Sequence, residues 1–391
     1  MKPTIIIGAG MAGYTLAREL RKLDKHRPLL VITADDGSFY SKPMLSNAFA
    51  QNKQAAQLAS QTVVQMAAQL GANILSGTQV TGVDTGRRSV QTQAGAFEYE
   101  RLVLAVGAQP VRLALEGDAA QDVLSVNHLS DYARLRERLQ RRGERARVVI
   151  LGAGLIGCEF ADDLGGAGHS VTLVDPNPRP LSALAPAALS EGLAAALRAR
   201  GVSLQSGVTA VRVDRANEGL RVLLSDGRTL EADVVMSAVG LRADLRLAQA
   251  AGLATGRGIT VDRHGRTSAP EVYALGDCAE YCDGEATVCL PYIAPLMAAA
   301  RAIARTLAGT DTAIDLKPAP VIVKTPSYPL ALLPVAPGTA GDWHVMQEGE
   351  KLVARFHDAE GVMRGFGVAP QDAPSRQALL AEVGVRRAVA A

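Results

Sequence analysis

The stretch PTIIIGAGMAGYTLARELRKL, residues 3–23, decides the fold. Residues 3–7 form a short apolar run without polar alternation, the pattern of a strand buried on both faces. The run meets Gly8, Gly10 and Gly13, and residues 11–23 then read as a helix. Residues 29–33 supply the next strand. Strand, glycine turn, helix and strand in that order open a dinucleotide-binding unit whose helix N-terminus faces phosphate. Gly8 permits the turn, Gly10 admits the pyrophosphate closely, and Gly13 lets the helix pack on the strand. Ala9, Met11 and Ala12 complete the loop. Such a loop recognises phosphate rather than a reactive ring, so FAD and a nicotinamide dinucleotide both remain open at this point.

The pattern returns at RVVILGAGLIGCE, residues 147–159. A strand over 147–151 leads into Gly152, Gly154 and Gly157, an apolar helix follows, and a strand over 170–174 ends at Asp175. Two such units in one chain predict two dinucleotides. Residues 101–106 and the segment TSAPEVYALGD, 267–277, add buried strands, the second ending in Gly276 and Asp277. Residues 202–204, 209–213, 220–224 and 234–239 read as strands after a helix over 186–199, with Asp226 and Gly227 as a turn between the third and fourth. Near the end, 321–324, 330–335, 344–345, 352–356 and 362–368 alternate with Gly and Pro turns, before an Ala-rich helix over 375–389. The fold class is therefore α/β: two Rossmann-like nucleotide-binding domains and a small α+β C-terminal domain.

Composition narrows the function classes. The 391 residues are 48% hydrophobic, and 41 Lys and Arg against 39 Asp and Glu leave a formal charge of +2, which gives no support to bulk nucleic-acid binding. No apolar segment approaches the roughly 20 residues that span a bilayer as a helix. Four Cys make no dense disulfide framework and no secretory leader is evident, so a cytoplasmic location is expected. Residues 131–147 hold seven arginines on a helical period, which reads as a solvated basic face or as a docking surface for an acidic protein.

These features together resemble the pyridine-nucleotide-dependent FAD oxidoreductases, and more closely the rubredoxin reductases. The resemblance covers most of the chain and rests on both glycine loops, on RLVLAVG at 101–107 and on the 267–277 motif. The stretch ADDGSFYSKPMLS, 34–46, and VKTP, 323–326, carry the closer match. The resemblance implies FAD at the first loop and NADH at the second. It implies a discontinuous FAD domain over 1–112 and 242–318, an inserted NAD domain over 113–241 and a C-terminal domain over 319–391. It carries Lys42 and Lys324 over as flavin contacts, Val80 as an apolar backbone contact to adenine, and Glu159 as a residue near the junction of flavin and nicotinamide. Asp277 would meet hydroxyls near the flavin's ribityl and phosphate groups, and the helix starting near Ala294, after Ile293, would aim its free backbone donors at a flavin carbonyl.

The first unit departs from the common pattern, because Thr33 and Ala34 stand where a ribose-binding acid is usual. Thr33 can bond a hydroxyl, and Asp35 can cap the segment Ser38 to Ser46. In the second unit Asp175 stands at the distance for an acid on ribose, which favours NADH over NADPH, while Arg179 nearby weakens that discrimination. Cys278, Cys282 and Cys289 lack paired CxxC spacing, so no metal site and no flavin-linked dithiol is expected. The six histidines form no ligand or nucleophile pattern, and hydride transfer needs positioning rather than a catalytic acid, so no catalytic residue is assigned. The expected activity is electron transfer from NADH through FAD to rubredoxin, with ferredoxin or a nitric-oxide-reductase partner as alternative acceptors. A flavin-based redox sensor is the alternative of another class. Alkane degradation and oxygen detoxification are the pathways that the resemblance permits.

Overall fold

The computed structural model describes residues 2–143, 145–283 and 286–386. They divide into two compact units, one of Met1–Lys42, Ala56–Gln109 and Leu241–Lys317, the other of Pro43–Ala55, Pro110–Gly240 and Pro318–Ala391. The segment 319–391, set apart in the sequence reading, falls in the second unit by its contacts.

The first unit is built on a parallel sheet in the order Val272–Ala274, Arg101–Leu104, Thr4–Ile7, Leu29–Ile32 and Asn73–Leu75. The short apolar run lies at its centre, with Thr4 opposite both Leu29 and Arg101 and Ile7 opposite both Ile32 and Leu104. All four of its residues are buried, which explains its unbroken apolarity. Because Thr4–Ile7 has neighbours reached by crossovers in both directions, a crevice opens beyond its carboxyl end, where α/β sheets bind ligands. The helices Met11–Leu23 and Ile293–Leu307 pack together over a core that includes Ile5, Leu16, Val103 and Ile303. A three-stranded antiparallel sheet, Val80–Asp84, Ser89–Thr92 and Gly95–Glu98, is appended.

The second unit repeats the plan, with parallel strands in the order Ser203–Ser206, Ser170–Asp175, Arg147–Leu151 and Val234–Ser237. Here the reading needs correction. The turn at Asp226 and Gly227 joins Gly219–Leu224 to a strand the sequence did not reveal, Thr229–Ala232, which closes an antiparallel layer with Ala210–Ala216. The segment expected to follow that turn, Val234–Ser237, lies in the parallel sheet beside Arg147–Leu151 instead. Thr229–Ala232 is short and half polar, so neither length nor period announces it.

A five-stranded antiparallel sheet follows in the order Val321–Val323, Leu330–Leu333, Met363–Ala369, Lys351–Asp358 and Gly341–Glu348. The strand expected over 344–345 is the edge strand Gly341–Glu348, longer because it is exposed almost throughout and Asp342, His344, Gln347 and Glu348 break any apolar period. The final helix is Ala373–Glu382 rather than 375–389. Asp372 caps it by accepting from Ser375 N at 2.8 Å, and Gly384, at φ +84°, lies beyond its end. Residues 387–389 of the expected helix lie outside the described residues. The arginine-rich helix is Leu129–Gln140, and Arg147 belongs to a strand.

Candidate functional site

In the first unit, the strand Thr4–Ile7 ends at Gly8, whose φ of +111° an L side chain resists, and a Cβ there would stand 2.2 Å from Ala105 O. A Cβ on Gly13 would stand 2.0 Å from Gly8 O, so the helix can lie this close to the turn only with glycine. At Gly10 a Cβ would meet nothing within 4 Å. Gly10 precedes the helix without a side-chain cap, and no acid occupies the first helical turn. The result is an open cradle of backbone donors at the helix N-terminus, which fits a pyrophosphate.

The late motif comes to the same cradle. Gly276, at φ +78°, lies so close to the helix that its Cβ would stand 2.9 Å from the Ala12 Cβ. The next residue, Asp277, has its carboxylate 3.9 Å from the Lys42 ammonium. Ile293 begins the helix Ile293–Leu307, whose preceding residue Tyr292 offers no side-chain cap, and Leu296 of its first turn approaches Gly276. Lys42, Asp277, Ile293 and the glycine loop of Ala9, Met11 and Ala12 therefore belong to one neighbourhood of this unit. Thr33 follows the second strand, Leu29–Ile32, which ends one residue earlier than expected, and its Oγ1 accepts from Asp35 N at 3.2 Å and so closes a turn. Asp36 caps the following segment, accepting from Ser38 N at 2.9 Å. Ala34 is exposed, and Val80 is a buried strand residue in the core.

In the second unit the cradle recurs. A Cβ on Gly152 would stand 2.7 Å from Ala238 O and one on Gly157 would stand 1.9 Å from Gly152 O, whereas Gly154 faces open space. Asp175 ends its strand with Oδ2 accepting from Ala153 N at 2.6 Å, and Oδ1 accepts from the backbone and side chain of Asn177, each at 2.8 Å. The carboxylate thus tightens the loop it adjoins, and ribose hydroxyls would use its remaining lone pairs. Arg179 pairs with Glu191 at 3.8 Å. On the helix Leu155–Gly166, Glu159 is buried and bonded on both oxygens. Ser46 Oγ donates to Oε2 at 2.5 Å, Lys324 N donates to Oε1 at 3.0 Å, and the Lys324 ammonium also donates to Oε2. Lys324 Nζ further reaches Ser46 Oγ at 3.2 Å. Glu159 and Lys324, singled out separately in the sequence, are one ion pair.

Comparison with known proteins decides the family. The profile described as pyridine nucleotide-disulphide oxidoreductase matches residues 2–304, and one described as rubredoxin binding C-terminal domain matches residues 313–383. A rubredoxin-NAD(+) reductase of Alcanivorax borkumensis is 43% identical over 384 residues, 98% of this chain and 99% of that protein. The chain belongs to the rubredoxin-NAD(+) reductase family, within the pyridine nucleotide-disulphide oxidoreductases. A nitric oxide reductase FlRd-NAD(+) reductase of Aeromonas salmonicida is also 43% identical, over 93% of this chain and 92% of that protein. Among solved structures, a covalent putidaredoxin reductase–putidaredoxin complex superposes with a TM-score of 0.88 at 26% identity, covering 98% of this chain and 94% of that one.

Within this family the chain's four cysteines are all free thiols. Cys158 and Cys278 are buried, and burial pushes the Cys278 thiol up to about 11 and the Cys158 thiol up further. Neither has the thiolate character of a redox-active sulfur. Among the described residues no cluster of three metal-ligating side chains occurs, and no helix is long and apolar enough to cross a membrane.

The arginine-rich helix is less basic at its surface than its sequence suggests. Arg134 pairs with Asp131, Arg141 with Glu137, and Arg136 is buried over the Phe49 ring while donating to Lys53 O and Asn52 Oδ1. The sequence reading also missed Ser46, Asp162 and Asp163 as groups of consequence. The two aspartates carried a usable signal, because with Glu159 they fall at spacings of three and four along an otherwise apolar helix.

Proposed function

We propose that this chain oxidises NADH and passes the electrons through FAD to rubredoxin, with the residues above in the following roles. FAD, when bound, accepts a two-electron hydride and releases single electrons, which is the chemistry an iron protein requires. Gly8 to Gly13 hold its pyrophosphate, Asp277 takes adjacent hydroxyls, and Lys42 with the N-terminus of Ile293–Leu307 faces the ring with positive charge. Thr33, Ala34 and Val80 border the adenosine end. Gly152, Gly154 and Gly157 hold the pyrophosphate of NADH, and Asp175 takes its ribose while disfavouring the extra phosphate of NADPH. Glu159, paired with Lys324, orients the incoming nicotinamide ring.

The observation that carries this reading is the pair of open glycine cradles in a chain whose buried thiols offer no electron store. An external carrier would then take the electrons, since the four cysteines are all free thiols with no disulfide among them. The match of residues 313–383 to a rubredoxin binding domain supports rubredoxin as that carrier. A second acceptor reading, a nitric-oxide-reductase partner, is favoured by the Aeromonas relative's name and equal identity. We further propose the domain limits 1–112 with 242–318, 113–241 and 319–391, a cytoplasmic site of action, where NADH is supplied, and service in alkane degradation. Oxygen detoxification is the competing pathway.

Anaerobic stopped-flow mixing of the FAD-loaded protein with NADH and then with carriers tests the proposal. Rapid bleaching of the flavin by NADH and fast reoxidation by rubredoxin but not ferredoxin is the expected result. A flavin that stays oxidised under excess NADH would defeat it, and reduction without transfer to any carrier would favour a redox sensor.

A further inference from the structure

The helix Leu155–Gly166 turns three carboxylates inward: Glu159, Asp162 and Asp163 are 3%, 1% and 4% exposed. Buried carboxylates are costly unless matched, and these are matched chiefly from two straps. The strap at 46–50 gives Ser46 Oγ to Glu159, and Phe49 N and Ala50 N to Asp163 at 2.8 and 3.0 Å. The strap at 324–327 gives Lys324 to Glu159, and Ser327 N to Asp162 at 3.2 Å. Asn47 Nδ2 ties one strap to the other through Lys324 O at 2.9 Å. Arg200 Nε stands 3.3 Å from Asp162 Oδ1, an oxygen that accepts no hydrogen bond among the described residues. The helical spacings of three and four recur along the straps, from Ser46 to Phe49 and Ala50 and from Lys324 to Ser327.

We propose that Asp162 and Asp163 are positioning residues for Glu159: by fastening each strap just beyond Ser46 and Lys324, they set the Ser46–Glu159–Lys324 contacts. Apolar side chains of similar size would hold the straps against the helix at no greater cost. They would not fix register, whereas Asp163, accepting from the successive N–H groups of Phe49 and Ala50, admits one, and Asp162 fastens its strap at the N–H of Ser327. Burial pushes the Asp163 carboxyl up, and the N–H groups of Ala50, Phe49 and Ala48 pull against that rise. Because the same helix begins at the Gly152–Gly157 loop, the ladder ties the loop, the ion pair and both straps to one element. The inference rests on the role proposed above for Glu159 and Lys324.

The test is a double-mutant cycle on the FAD-loaded full chain between Asp163→Asn and Glu159→Gln. The carboxamide keeps the size of the side chain and turns an NH2 toward one of the two amides. Two quantities are read: flavin reduction at saturating NADH, and the change in the oxidised flavin's absorption band on titration with NAD+. Asp163→Asn is expected to slow reduction about tenfold and to alter the NAD+-induced band shift, as a misplaced group does. In the Glu159→Gln background the further loss should be under about twofold, since the aspartate then has no placed group to act through. Equal losses in both backgrounds, or an unchanged rate and band shift in Asp163→Asn, overturn the inference alone. A wild-type rate in Glu159→Gln overturns the role of Glu159, and the inference with it. If Asp163→Asn does not retain FAD, Asp162→Asn enters the same cycle under the same criteria. Failure of both variants to yield holoprotein makes the ladder purely architectural and also overturns the inference.

Discussion

Replacing Gly154 by alanine should weaken NADH binding without weakening the fold. Gly154 precedes the helix Leu155–Gly166 at φ −74° and ψ −169°, an extended conformation open to alanine, and its Cβ would meet no atom within 4 Å. Where the backbone already suits alanine, the substitution stabilises by about 0.4–1 kcal/mol through the unfolded chain. The melting temperature should therefore hold or rise slightly. The added methyl enters the space proposed for the pyrophosphate, and overfilling a fitted contact costs about 1–3 kcal/mol. At about 1.4 kcal/mol per factor of ten, NADH affinity should fall by about 5- to 140-fold. Gly157→Ala is the contrast, since its Cβ would stand 1.9 Å from Gly152 O and must force helix and turn apart. That variant should lose both affinity and melting temperature. NAD+ titration of FAD-loaded protein and a thermal melt separate the two cases. An unchanged NAD+ affinity in Gly154→Ala, or a melting temperature lowered as far as in Gly157→Ala, would refute the open cradle.

Three further outcomes are expected. Asp175→Ala should remove charged hydrogen bonds to ribose worth about 1.5–3 kcal/mol, raising the NADH KM by roughly 10- to 100-fold with FAD content unchanged; steady-state kinetics checks this, and an unaltered KM counts against the assignment. Tyr14 donates to Gly37 O at 2.5 Å, and burial, with Asp36 adding, pushes its hydroxyl from 10 to about 12. The folded chain therefore holds this proton more tightly, and the stability so gained is complete below pH 10 and lost as pH rises through about 12. Melts across that window should fall more steeply in wild type than in Tyr14→Phe, and parallel curves would sink the assignment. Finally, a thiol reagent at neutral pH should label no more than Cys282 and Cys289 in the native protein, leaving Cys158 and Cys278 for the unfolded chain. Labelling that increases after NADH would reveal a redox-active sulfur and contradict the external-carrier reading.

The parts of the molecule legible in its sequence are those whose constraints are local. Gly8 and Gly13 must be glycine because a Cβ on either would strike backbone from the same strand–turn–helix unit or the adjoining strand, and this demand recurs wherever the unit does. The helix Met11–Leu23 and the strand Arg147–Leu151 fall at the residues expected because each is bounded by those turns. The place of Asp175 at the end of its strand was legible for the same reason, at a fixed distance from its loop. Arg136 was not. It sits between two other arginines, Arg134 and Arg138, in a polar-looking helix, and only Phe49 and the carbonyl of Lys53, brought in from another part of the chain, make it a buried residue.

The pairing of Glu159 with Lys324 belongs to the same non-local class, since the two lie 165 positions apart and Ser46 lies 113 from Glu159. Each lysine or acid alone reads equally well as a surface group. What distinguishes Glu159 in the bare sequence is its company: Asp162 and Asp163 follow on the same helical face, between Phe160, Ala161 and Leu164. A solvated helix face would alternate such acids with Lys or Arg at the same spacing. A buried face cannot leave three carboxylates unmatched, so partners from elsewhere in the chain are required. Acids at spacings of three and four on an apolar helix that leaves a glycine loop therefore predict straps, and the residues just upstream of where those straps are fastened are the ones placed for chemistry. If the cycle between Asp163 and Glu159 shows coupling, the rule applies wherever that spacing follows such a loop; without coupling, the spacing predicts packing alone.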